Sequence, residues 1–145
     1  VARVQFYHNT ADPLALACEL TARAYAGGRK VALRVADPAT AVQLDQLLWS
    51  FDQFAFIPHV DVDSPLANET PVLIGLADAP PHWPHTDLLF NLAADVPAEF
   101  DSFRGVVEII GQNEHEKTPA RARWMHYKKH GAQLQAFDSV LRERI

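Results

Sequence analysis

The nearest approach to a metal-binding spacing is His82-Trp83-Pro84-His85. Two such rings could meet one zinc, but Pro84 opposes the helix that would align them, and catalytic zinc takes three protein ligands. The competing reading is a pair of loop histidines. Asp61-Val62-Asp63 could offer oxygens to a hard cation, yet calcium wants six or more, and a solvated loop is the stronger reading. Cys18, the only cysteine, falls on the apolar stripe of an expected helix, where a thiol is commonly buried and inert. Phosphate-cradling glycines are missing. Asn9-Thr10-Ala11-Asp12-Pro13 follows the first expected strand, and neither G-x-G-x-x-G nor G-x-x-x-x-G-K-[ST] occurs. A backbone cradle needs glycine so that amides can approach the anion. There is no G-x-S-x-G elbow either. No named reaction is supported, and the chain is expected to be no enzyme, with no metal or cofactor.

Two other clusters suit binding. Trp49, Phe51, Phe54 and Phe56 place four aromatic rings in eight residues, followed by Ile57-Pro58-His59. Each ring alone could cap the core. All four are harder to bury in one short connection, and exposed aromatic groups mark partner surfaces. The second cluster is Lys117, Arg121, Trp124 and Lys128, spaced i, i+4, i+7, i+11. That spacing shares one helical face, with Arg123, Tyr127 and Lys129 beside it. Cations around an aromatic wall suit a peptide carrying carboxylates and an aromatic ring. A plain amphipathic helix with a solvated basic edge, favoured near a helix C-terminus, explains the same spacing.

The elements that must position these clusters follow from periodicity and punctuation. Residues 4–8 read as a strand. Asp12-Pro13 then supplies an N-cap and an N1 proline, and an apolar stripe through Leu14, Ala17 and Cys18 leads to Gly27-Gly28. Residues 30–35 form a short β-branched strand, as buried parallel strands do. Asp37-Pro38 repeats the cap before a helix reaching about Trp49. Residues 51–68 are irregular. Strands follow at 72–76, 87–92 and 106–110, with a stiff loop at 79–84 and a short helix beginning at 97–100. Thr118-Pro119 reads as N-cap and N1 of a last helix ending at Gly131, which puts Lys117 just outside it. The β-α-β-α order predicts an α/β fold, a mostly parallel five-stranded sheet flanked by helices, in one domain over residues 1–145.

Charge is unevenly placed. The net charge is -5, with eleven acidic and no Lys or Arg residues from 37 to 101, and eight Lys/Arg against five acidic from 102 onward. An acidic chain is ill suited to tight non-specific DNA binding, whereas a basic C-terminal region can meet an acidic partner. No apolar run approaches the ~20 residues that span a bilayer, and the opening lacks a secretion-signal core. A cytoplasmic location is expected.

The segments taken together resemble the chi subunit of bacterial DNA polymerase III. The resemblance runs in order through Val4-Gln5-Phe6-Tyr7, Gly28-Arg29-Lys30-Val31, Leu44-Asp45-Gln46-Leu47-Leu48-Trp49, Phe56-Ile57-Pro58-His59, Val106-Val107-Glu108 and Ala120-Arg121-Ala122-Arg123-Trp124, with Tyr127 and Gly131. It covers nearly the whole chain; the Leu-Asp-x-x-Leu-Trp segment with Phe-Ile-Pro-His is its most distinctive pair. The resemblance implies a Rossmann-like domain that binds no nucleotide. It implies a non-catalytic adaptor between the clamp loader, through the psi subunit, and the acidic, aromatic-ended C-terminal tail of single-stranded-DNA-binding protein. By resemblance the tail site comprises Lys117, Arg121, Trp124, Tyr127, Lys128 and Ile110. The psi site comprises Trp49, Phe51, Phe56 and Pro58. Trp124 stands where the family commonly has tyrosine. A monomer, or a heterodimer with psi, is the expected state. The competing classes are a nucleotide-binding or enzymatic α/β domain and a direct single-stranded-DNA binder that stacks bases on Trp124 and Tyr127.

Overall fold

The computed structural model describes residues 2–51, 56–78, 82–140 and 143–144. They form one eight-stranded sheet flanked by helices. In chain order the elements are β1 (Arg3–Thr10), α1 (Pro13–Ala26), β2 (Val31–Val35), α2 (Pro38–Ser50), β3 (His59–Asp61), β4 (Val72–Leu76), β5 (Leu88–Asn91), β6 (Gly105–Gly111), α3 (Glu114–Lys129), β7 (Gln133–Asp138) and β8 (Glu143–Arg144).

The caps work as the sequence predicts. The Asp12 carboxylate accepts from the Ala15 amide at 3.1 Å, and Asp37 accepts from the Thr40 amide at 2.8 Å. These bonds satisfy donors that a helix start leaves orphaned. Gly28 and Gly131 turn the chain out of α1 and α3 at φ 77 and 79, a left-handed conformation that glycine adopts without a Cβ clash.

The sheet order is β3-β4-β2-β5-β6-β1-β7-β8. All pairs are parallel except β7–β8. The parallel α/β class is as expected, but five strands are too few. Strand β3 hides in the irregular stretch before β4. Strand β7 carries no strong strand signal, because Gln133-Leu134-Gln135-Ala136 is polar at alternate positions, as suits a strand near the sheet edge. The expected helix at 97–100 is only a 3-10 turn, Phe100–Ser102.

Alternating side chains serve two cores. Val31, Leu33, Ile74, Val107 and Ile109 pack beneath α1 and α2, with Cys18, Leu44 and Leu48. Val4, Phe6, Leu89, Val106 and Ile110 pack on the opposite face beneath α3, with Ala120 and Tyr127. Chain direction then creates a crevice. From β1 the chain crosses through α1, over one face, to β2, three positions away. From β6 it crosses through α3, over the other face, to β7, so α3 spans β1. Neighbouring strands β1 and β6 thus send their connections apart. Their C-terminal ends open a crevice, the usual place for ligands on open α/β sheets.

Helix α3 begins at Glu114, after Asn113, and not at the expected Thr118-Pro119. Pro119 therefore lies in its second turn and forgoes the bond its amide would make to the His115 carbonyl. Lys117 consequently stands on the helix, a turn before Arg121, rather than outside it.

Candidate partner-binding site

A pocket of about 490 Å³ occupies this crevice. Strand β1 supplies its floor through Phe6 and His8, which share a face by the two-residue period of a strand. Ile110 closes it from β6 and Ala136 from β7, while α3 forms the wall with Ala120 and Trp124. Trp124 meets Phe6 edge to face, centroids 5.1 Å apart and planes at 69°, an arrangement that aromatic quadrupoles favour. The interior is thus apolar and aromatic.

Its rim is charged. Lys117 and Arg121 stand on α3 a turn apart, and Asn9 and Asp138 stand at the ends of β1 and β7. Lys117 Nζ lies 3.2 Å from Glu114 Oε1, in a pair whose glutamate is 84% exposed, so solvent competes with it. Arg121 is exposed, and among the described residues no hydrogen bond or ion pair engages it. Asn9 adopts φ 57 where the β1–β6 register shifts, a left-handed position that asparagine tolerates. Its amide lies 3.4 Å from each Asp138 carboxylate oxygen.

Four of the six residues expected here, Lys117, Arg121, Trp124 and Ile110, line this one pocket. Lys128 is exposed and does not line it; i+11 carries it past the end of the crevice. Tyr127 is fully buried behind the wall. Its ring packs against Phe6 at 5.8 Å and Phe100 at 5.0 Å. Its hydroxyl donates to Glu108 Oε2 at 2.6 Å, and burial together with the Glu108 charge pushes that hydroxyl's pKa up.

That bond belongs to a buried network anchoring α3. Glu108 on β6 also accepts from Arg123 Nε at 2.9 Å and from Asn91 Nδ2 at 2.9 Å. Arg123 Nη1 donates to the Ala94 carbonyl at 2.8 Å. Arg34 joins through Asn91 Oδ1 at 2.9 Å and pairs with Asp95 at 3.0 Å. Burial pushes the Glu108 carboxyl up, and the Arg123 guanidinium opposes that push. Three donors converge on the two oxygens of Glu108, an arrangement suited to an ionised, acceptor-only carboxylate. No periodicity announces this. A lone glutamate in an apolar strand was the one available signal.

The expected aromatic surface lies elsewhere, at the end of α2. Trp49 is 54% exposed and Phe56 64%, with ring centroids 5.5 Å apart. Phe51 is partly exposed and Pro58 is half-buried. Trp49 also leans on His59, centroids 4.7 Å apart. His59 is buried, its Nδ1 2.7 Å from the Ile57 carbonyl and its Nε2 3.2 Å from Asp45 Oδ1. The Leu-Asp-x-x-Leu-Trp segment and Phe-Ile-Pro-His thus meet in space: Leu44, Leu48 and Ile57 go into the core, while Trp49 and Phe56 stay outside. Phe54 lies outside the described residues.

His82 is exposed and His85 half-buried, with burial pushing the His85 pKa down. Among the described residues no three His, Cys, Asp or Glu side chains gather to hold a metal. Burial pushes the Cys18 thiol up to about 11, which disfavours the thiolate a nucleophile needs. No helix among the described residues is long and apolar enough to cross a membrane.

The chain matches the family model described as DNA polymerase III chi subunit, HolC, over residues 1–135. It is 37% identical over 139 residues to DNA polymerase III subunit chi of Pseudomonas aeruginosa, covering 93% of this chain and 95% of that one. The protein of the same name from Haemophilus influenzae is 29% identical over 119 residues, with 82% of each chain covered. The one from Escherichia coli is 29% identical over 125 residues, with 82% and 80% covered. With a family model matched over residues 1–135 and a relative 37% identical over nearly its whole length, on a largely parallel sheet whose crevice has no glycine-rich phosphate loop, this chain belongs to the family of DNA polymerase III chi subunits, accessory proteins of the replication machinery.

Proposed function

We propose that the chain is a cytoplasmic, non-catalytic adaptor. It links the polymerase III clamp loader, through psi, to the C-terminal tail of single-stranded-DNA-binding protein. One observation carries the tail assignment: Lys117, Arg121, Trp124 and Ile110, drawn from two elements, line a single pocket with an apolar interior and a cationic rim. An acidic peptide ending in an aromatic residue fits both parts. Its ring replaces water against Phe6, Ile110 and Trp124, a burial worth ~1.5–3 kcal/mol. Its carboxylates meet Arg121 and Lys117, which also steer the encounter. One tail binds modestly, and many tails on a coated strand raise the effective concentration. The psi contact is assigned to Trp49, Phe51, Phe56 and Pro58. Two large exposed rings in mutual contact form the kind of apolar patch that marks an interface.

Calorimetric titration with a synthetic acidic, phenylalanine-ended peptide tests the tail assignment. Micromolar binding is expected, weakening with salt and abolished when the terminal phenylalanine is deleted. No binding at millimolar peptide would reject it. Tight binding of bare single-stranded oligonucleotide at moderate salt would favour direct DNA binding instead.

A further inference from the structure

We infer that His8 is a third cationic contact for the acidic tail, beside Lys117 and Arg121, and that its imidazolium form makes the pocket's affinity depend on pH. This rests on the assignment of the pocket to an anionic peptide. His8 lies on β1, two residues beyond Phe6, on the face covered by α3, and lines the pocket. It is half-buried, and among the described residues no hydrogen bond engages its ring. Lys117 and Arg121 reach the pocket from α3, so His8 approaches a bound peptide from the strand side.

Among the described residues, charged groups come near it from α3, β6 and β7. From α3 come Lys117 and Arg121, with Glu114 at 3.2 Å from the lysine at the outer rim. From β7 comes Asp138, in direct register with His8. From β1 itself the neighbour is neutral Asn9. From β6 come Ile110 and Gly111, and Glu108 lies deeper, opposite Phe6, within its own network. Among the pocket-lining residues, two permanent cations and one carboxylate leave a net +1, and protonation of His8 makes it +2. Imidazole is the side chain that ordinarily changes charge between about pH 5 and 8. A carboxylate brought beside it favours the charged form, so peptide binding draws a proton into the pocket. Binding must then weaken as pH rises.

The test is calorimetric titration of the full chain with an N-acetylated acidic peptide ending in phenylalanine, at about pH 6 and about pH 8. The wild type is expected to bind roughly threefold to tenfold more tightly at the lower pH, the scale of one partly solvated charge pair. The His8→Gln variant is expected to bind equally at both, at the wild type's high-pH affinity. His115→Gln, on α3 but outside this pocket's lining, should keep the wild-type slope. Repeating the wild-type titration in buffers of different ionisation enthalpy reads proton uptake directly and needs no variant. Wild-type binding without pH dependence, or a slope retained in His8→Gln, would overturn the role of His8 and leave the tail assignment standing. No binding at either pH would reject the tail assignment, and the His8 inference with it.

Discussion

Replacing Arg123 with methionine removes the guanidinium from the Glu108 network while keeping most of the aliphatic bulk. Both side chains are nearly inaccessible, 6% and 0% exposed, with Nε and Oε1 2.9 Å apart. In the variant the Glu108 carboxylate keeps Tyr127 and Asn91 but loses its countercharge, and the Ala94 carbonyl loses a donor. Breaking a buried pair by removing one partner costs ~3–5 kcal/mol, a large part of the ~5–15 kcal/mol that holds a domain folded. With a urea dependence of ~2 kcal/mol per molar, the unfolding midpoint should fall by roughly 2 M. The sign of the pH dependence follows from Glu108. Its folded pKa, already raised by burial, rises further without Arg123. A carboxyl raised above its unfolded value costs little when neutral and destabilises progressively as pH climbs past that unfolded value. The penalty should therefore be smaller near pH 5 than near pH 8. Adding Glu108→Gln to Arg123→Met should recover part of the loss, because the orphaned charge is gone. Urea titrations at both pH values decide it. A penalty below ~1 kcal/mol, or one that adds fully in the double variant, would refute the account of this network as a charge pair anchoring α3.

Arg121→Ala should weaken peptide binding roughly tenfold, about the worth of a charge-assisted bond, while leaving the melting temperature unchanged because among the described residues it gives up no hydrogen bond or ion pair; unchanged calorimetric affinity would remove Arg121 from the site. Trp49→Ala should spare peptide binding and impair co-purification with psi, and equal loss of both would indicate misfolding. Asp37→Ala should be less stable than wild type at neutral pH. The Thr40 backbone and hydroxyl bonds hold the Asp37 pKa below its ordinary value, so stability present above the unfolded pKa is lost as pH falls through the folded one. The two proteins' unfolding curves should converge in acid. Cys18 should resist alkylation at about pH 8 in the native chain and react fully in denaturant, since burial holds its thiol at about 11; fast native labelling would contradict its burial.

Local signals carried much of the fold. Asp12-Pro13 and Asp37-Pro38 place helix starts through bonds spanning three residues, and short β-branched runs mark buried strands wherever they pair. The i, i+4, i+7 spacing brought Lys117, Arg121 and Trp124 together for the same reason: helical geometry is local. Where local signals competed, the reading failed. Thr118-Pro119 resembles a helix start, yet α3 begins at Glu114, its first turn closed by the Glu116 and Lys117 amides donating to the Asn113 carbonyl, and Pro119 falls in the second turn. Strand β7 carries an edge pattern too polar to recognise alone, so the pairing of Asp138 with His8 and the position of Ala136 in the pocket were invisible. Tyr127 and Trp124 are three residues apart on one helix, yet one lies behind the wall and the other forms it, because a small rotation about the helix axis decides which ring meets Glu108. Sequence alone offered Lys117, Arg121, Trp124 and Ile110 as candidates for one site. Only the parallel sheet, with β1 and β6 sending their connections to opposite faces, decided that they share a pocket, since that crevice depends on strand order, and strand order is a long-range property no local pattern encodes.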